Sequence, residues 1–243
     1  MTEKSSTALD LSWVVNNYRE VCAKVDAACA RAGRNRDEVT LIGVTKTVDP
    51  ALINAVLDDG LTAIGENRVQ EYLGKCDALH LDGVERHLIG HLQTNKVKAI
   101  VGKVDMIQSV DSVRLAAAID KVSAEKGIVT PILVEVNIGE EDSKSGIFEA
   151  EAEKMIREIA AFSHISVQGL MTIPPISPSE AKKREYFSKM RQLFIDIRGK
   201  NIDNISMNVL SMGMSDDYEL AIEEGSTMVR VGTAIFGRRQ YTV

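Results

Sequence analysis

Eight short runs of β-branched and aliphatic residues recur along this chain, and helical segments separate them. The runs are "VTLIGVT" (39–45), "LTAIGE" (61–66), "RHLIG" (86–90), "DMIQSV" (105–110), "PILVEVNI" (131–138), "ISVQGLMTI" (165–173), "ISMNVLSM" (205–212) and "TMVRVGT" (227–233). Most read as nearly continuous apolar stretches rather than as in–out alternations, which is the mark of strands buried on both faces. Between them lie good helix formers such as "DPALINAVLDDG", "DSVRLAAAIDKVSAEKG" and "IFEAEAEKMIREIAAF". In the second of these, Leu115, Ala118, Ile119 and Val122 follow the i, i+3, i+4, i+7 spacing of one helix face. Gly60 and Gly127 stand where helix-ending glycines are expected. Strands buried on both faces and separated by amphipathic helices imply a parallel sheet covered by helices. Eight such units predict an α/β fold of the (β/α)8 TIM-barrel type. Alternation by itself leaves an open doubly wound sheet as the alternative. A further helix is expected at about 9–32, before the first strand, with the barrel over about 39–240.

The 243 residues suit one such domain, so a single domain over 1–243 is expected. Hydrophobic residues make up 44% of the chain and aromatics 5%, so its core should be large and mainly aliphatic. A net charge of −6 argues against nucleic acid or an anionic membrane as a bulk partner. The opening stretch "MTEKSSTALDLSWVVNNYRE" carries no long apolar run, so neither a signal peptide nor a membrane span is expected. Cys22, Cys29 and Cys76 form no paired framework and read as reduced thiols of a cytoplasmic protein.

Active sites of such barrels gather at the C-terminal ends of the strands, and phosphate is often held after strands seven and eight. Strand one ends at Lys46, where an amine drawn partly out of water has a lowered pKa and can form a Schiff base with a carbonyl. The plain alternative is a lysine whose ammonium simply reaches solvent. Strand two leads into Glu66, Asn67 and Arg68, and strand five into Asn137 and the "EEDSKSG" loop. Ser211 follows strand seven, while Gly232 and Thr233 follow strand eight, offering hydroxyl and backbone N–H donors to a phosphate. Ordinary turn and cap chemistry would use the same residue types. Arg230 alternates with Val229 and Val231, so it points either into the barrel or toward the helices. Its partner would be Glu66, Glu135 or a ligand atom. His87 and His91 are four apart but lie on a strand and its end, so no metal site is expected. Ser143 and Ser145 have no apparent His/Asp partners, and neither a dinucleotide fingerprint nor a Walker-type loop is present.

Seven motifs, in order, carry a resemblance to a known family: "VTKT", "GENRVQEYLGK", "HLIGHLQTNKVK", "IQSVDS", "VEVNIGEEDSKSGI", "GLMTIPP" and "LSMGMSDDYELAIEEGSTMVRVGTAIFGRR". From about residue 10 to Arg239 the chain resembles the pyridoxal phosphate homeostasis protein family, also called YggS-like or proline synthetase co-transcribed homologues. The resemblance implies a fold-type III barrel similar to the N-terminal domain of alanine racemase. It implies pyridoxal 5'-phosphate (PLP) as cofactor, held as a Schiff base on Lys46. Arg230 would face the ring nitrogen, Ser211, Gly232 and Thr233 would contact the phosphate, and Asn67 would lie beside the cofactor. His91 stands where some members of the family have proline.

A permanently charged guanidinium leaves a facing pyridine nitrogen without its proton and weakens the ring as an electron sink. The resemblance implies a function in PLP homeostasis, and the expectation is a cytoplasmic monomer without catalytic residues or turnover, with PLP-dependent apo-enzymes as recipients. The alternative is an alanine-racemase-like PLP enzyme. Against it stands the expectation that a chain ending soon after its eighth strand lacks the racemase's additional β-domain.

Overall fold

The computed structural model describes residues 10–141, 144–177 and 179–238. The first nine residues, Ser143 of the "EEDSKSG" loop and the end of the chain from Arg239 lie outside the described residues.

The alternation of the sequence closes on itself. Strands β1 (Thr40–Val44), β2 (Ala63–Glu66), β3 (Glu85–Leu88), β4 (Met106–Val110), β5 (Thr130–Glu135), β6 (Ile165–Met171), β7 (Ile205–Ser211) and β8 (Met228–Val231) form a closed barrel in chain order. All neighbouring pairs are parallel, and β8 returns to β1 with Ile42 opposite Arg230 and Gly43 opposite Val231. That last pairing excludes the open sheet. Helices α1 (Ser12–Arg31), α2 (Pro50–Asp58), α3 (Val69–Lys75), α4 (Val97–Ile100), α5 (Val113–Lys126), α6 (Glu149–Ile159), α7 (Glu180–Gly199), α8 (Tyr218–Glu223) and α9 (Thr233–Phe236) occupy the connections and the N-terminal extension.

Local chemistry explains the helix ends. Asp49 accepts from Ala51 N (2.8 Å) ahead of Pro50, so α2 starts with an N-cap and a proline at its first position. Ser112 caps α5 through Leu115 N (3.3 Å), and Gly127 ends that helix at φ 65°. Helix α1 buries Val14, Tyr18, Val21, Val25, Ala28 and Cys29 on one stripe. That stripe packs in one cluster with Val229, Val231, Ile235 and Phe236, covering the β8–β1 seam where the barrel closes.

Strand alternation then sorts the sheet residues into two sides. Leu88, Ile107, Val134, Leu210 and Met212 belong to the large cluster under the helices, so His87, Gln108, Glu135 and Ser211 face the barrel interior. Val229 and Val231 also pack helix-side, so Arg230 points inward. Ile42, Ala63 and Met228 supply the interior's buried apolar cluster. The interior is unusually polar for a packed core, and its polar groups lie below the mouth.

Candidate functional site

A cavity of about 480 Å³ opens at the C-terminal ends of β1, β2, β7 and β8. That volume falls in the range of small-molecule pockets. Of the six residues expected at a site, Lys46, Asn67, Arg230, Gly232 and Thr233 line it. Ser211 does not. It is fully buried on the inward face of β7, where its Oγ accepts from Arg230 Nη1 (2.5 Å) and donates to Gln108 Oε1 (2.8 Å). The hydroxyl that the β7–α8 loop brings to the cavity wall is that of Ser215.

Lys46 shares the inward face of β1 with Ile42 and Val44 and is half-buried at the mouth. The backbone around it is gripped from α3. Lys75 Nζ donates to Thr45 O (2.6 Å), and the Thr47 N–H donates to Glu71 Oε1. Lys75 is itself buried between Glu66 (2.5 Å) and Glu71 (3.2 Å). Glu66 also accepts from Thr45 Oγ1 (3.1 Å) and from the Asn67 N–H (2.9 Å), while burial pushes its pKa up against the pull of Lys75. Thr47 has φ 59°, a left-handed conformation rarely adopted by a β-branched residue. The grip of α3 therefore holds a strained turn directly after the lysine. Sequence reasoning missed this clamp. Its visible signal was the i, i+4 spacing of Glu71 and Lys75 on a helix just after the strand-end Glu66.

Arg230 begins at the level of Ile42, four residues below Lys46 along the neighbouring strand, or about 13 Å of strand rise. Its side chain reaches across the interior to Ser211 Oγ and to Thr172 O (2.8 Å). Neither carboxylate considered for it is a hydrogen-bond partner among the described residues. Glu66 faces outward to α3 because Ala63 packs inward and Ile64 outward on the same strand. Glu135 acts on Arg230 through charge alone, opposing the burial that lowers the guanidinium to about 10. Arg230 therefore stays a cation at neutral pH. Burial, with Asp111 adding like charge, pushes Glu135 up to about 7.

The lip after β7 and β8 is compact. Gly213 has φ 94°, and a Cβ there would sit 2.5 Å from Ala221 Cβ, so the loop needs glycine to pass under α8. Asp217 accepts from Met214 N (2.7 Å), shaping the turn that presents Ser215. Ser215 Oγ accepts from Gly232 N (3.2 Å) and Ala234 N (3.3 Å) at the start of α9. Hydroxyls and first-turn N–H groups thus converge at one wall, opposite in charge character to Asp49 and Asp216, which also border the cavity.

This donor set fits a phosphorylated carbonyl compound with a ring nitrogen: an amine at one wall, a buried cation below, and a hydroxyl and N–H cluster at the lip. Two observations add to the fit. The Asn67 Oδ1 atom is buried without a partner among the described residues, and so is Glu135 Oε2. Buried polar atoms are costly unless paired, so Asn67 at the cavity wall calls for a donor on a ligand. Among the described residues no group of three or more His, Cys, Asp or Glu is arranged to hold a metal ion.

Comparisons with known proteins agree with this geometry. The family described as alanine racemase, N-terminal domain matches residues 9–240. The chain is 43% identical over 221 residues to the pyridoxal phosphate homeostasis protein of Aquifex aeolicus, covering 91% of this chain and 96% of that one. The solved structure of PipY from Synechococcus elongatus, with PLP bound, superposes with a TM-score of 0.77 at 29% identity, covering 88% of this chain and all (100%) of that one. An alanine racemase from Clostridium difficile superposes with a TM-score of 0.75 at 12% identity, covering 93% of this chain and 58% of the racemase. That last likeness concerns the fold alone.

Proposed function

The chain belongs to the pyridoxal phosphate homeostasis protein family, and from that premise we propose that it holds PLP at the mouth of its barrel and serves the supply of that cofactor. The observation that supports this most is the meeting of Lys46, Arg230 and the Ser215–Gly232–Thr233 lip in one cavity. Bound PLP brings an aldehyde carbon open to amines and a conjugated ring able to take up electrons. Lys46 is the residue that holds the aldehyde end covalently, and the α3 clamp keeps its backbone in place. Ser215, Gly232 and Thr233 bind the phosphate, with Ser215 taking the part expected of Ser211. Arg230 faces the ring nitrogen as a cation, which leaves that nitrogen without a proton. Asn67 accepts from the cofactor's edge.

Keeping rather than turnover is favoured by two features. A facing guanidinium weakens electron withdrawal by the ring. No tyrosine, histidine or cysteine is among the described residues lining the cavity, so a second acid/base of those types is missing from the wall. The reading includes one domain, action as a cytoplasmic monomer, and PLP-dependent apo-enzymes as recipients. No helix among the described residues is long and apolar enough to cross a membrane.

Titration with PLP followed by absorbance tests the proposal. Wild type should develop the band of a lysine-bound cofactor, and Lys46→Ala should lose it while its stability changes by less than about 1 kcal/mol, as for a residue outside the core. An unfolded Lys46→Ala protein would make Lys46 a structural residue instead. Sustained formation of a D-isomer or keto acid from L-amino acids would favour the racemase-like alternative.

A further inference from the structure

A chain of hydrogen bonds crosses the barrel interior from the pocket to the opposite face. Arg230 Nη1 donates to Ser211 Oγ (2.5 Å), and Ser211 Oγ donates to Gln108 Oε1 (2.8 Å). Gln108 Nε2 lies 3.1 Å from His87 Nδ1, and His87 Nε2 lies 3.2 Å from Glu85 Oε2. The four inner members are buried, whereas the Glu85 side chain is 63% exposed at the first residue of β3. The path thus links strands β8, β7, β4 and β3 and ends at the face away from the cavity.

We infer that Glu85, His87 and Gln108 are positioning residues for Arg230, acting through this chain of donors that all point away from the pocket. The direction follows from chemistry. A guanidinium can only donate, so Ser211 must use its lone pair on Arg230 and send its proton to Gln108. Gln108 then turns its carbonyl to Ser211 and its NH2 to His87, with a second N–H on the weak acceptor Met228 Sδ (3.1 Å). His87 Nδ1 is therefore an acceptor, and Nε2 carries the proton given to Glu85. Reversing Gln108 leaves the Ser211 hydroxyl proton without an acceptor there. It also moves the His87 proton to Nδ1, setting the bare Nε2 against a carboxylate. A cation at one end and a carboxylate at the other polarise every link the same way, and aligned links strengthen one another in a low-dielectric interior. With Thr172 O holding Nη2, the chain fixes the plane of the guanidinium and hence the direction it offers the ligand.

The inference rests on Arg230 facing the PLP ring, so its test has an arm that needs no cofactor. In the cofactor-free protein, nitrogen-15 NMR should find His87 protonated at Nε2 and bare at Nδ1. Ser211→Ala should shift the His87 Nδ1 signal, although the hydrogen bonds link the two residues only through Gln108. Glu85→Gln, at an exposed position, should shift the Arg230 guanidinium signal and decide the matter if Ser211→Ala does not fold. With PLP added, Glu85→Gln should weaken binding about threefold, the scale of one modest hydrogen bond, while trapping on Lys46 persists. A His87 proton on Nδ1, or remote signals unmoved in folded variants, would overturn the relay. Wild type that takes up no PLP would overturn the proposed function instead, and the cofactor-free arm would still decide the relay.

Discussion

Single residues at this site are defined by which way a strand turns them. Lys46, Arg230 and Glu135 share the inward side of the barrel, yet each has a different electrostatic setting. Arg230 is buried but hydrogen-bonded by Ser211 and Thr172, so it remains charged. Glu135 has an unpartnered Oε2, and burial pushes its pKa up to about 7. An acid whose pKa is higher in the folded than in the unfolded chain binds more protons when folded, so its contribution to stability is lost as pH rises between the two values. In the cofactor-free protein, Glu135 should therefore cost stability as pH rises from about 4.5 to about 7, by at most about 3 kcal/mol. Denaturant melts of wild type and Glu135→Gln across that window should diverge with rising pH, the variant becoming the relatively more stable. Parallel curves would mean that Glu135 is not held in a costly ionised state.

At the scale of elements, α3 does more than cover the sheet. Its Glu71 and Lys75 reach around to the backbone on either side of Lys46, and Lys75 neutralises the buried Glu66. Removing one partner of a buried ion pair leaves an uncompensated charge, whereas replacing both with apolar groups is often close to neutral. Lys75→Met should thus cost about 3–5 kcal/mol, and Lys75→Met with Glu66→Leu should recover much of it. Chemical denaturation of both variants measures the difference. The fold was legible because parallel strands are apolar on both faces, and all eight runs became strands with ends displaced by a few residues. The site was less legible where depth mattered. Ser211 and Ser215 are four residues apart in one loop-forming motif, and the sequence carries no mark of where β7 sinks below the mouth. Glu66 looked available to Arg230 because its outward direction depends on Ala63 packing inward, a fact of tertiary packing.

For the whole molecule, stability and function occupy different shells. The large apolar clusters lie between sheet and helices, while the interior of the barrel carries the polar chain leading to Arg230. This separation lets the mouth hold a lysine, a cation and unpartnered oxygens without opening the core. The residues assigned to the site are gathered from β1, β2, the β7–α8 loop and β8 of one barrel, and the proposed reading is that of a monomer. Sedimentation should accordingly give one monomeric species, both with and without PLP; a stable dimer formed on loading would point to a shared site. The most direct measurement of the central claim is borohydride reduction of the PLP-loaded protein followed by peptide mapping. With Lys46 as the anchor, one reduced adduct is expected, on the peptide bearing Lys46, and none on Lys46→Ala. An adduct on another lysine, or no adduct on a folded protein saturated with PLP, would contradict it.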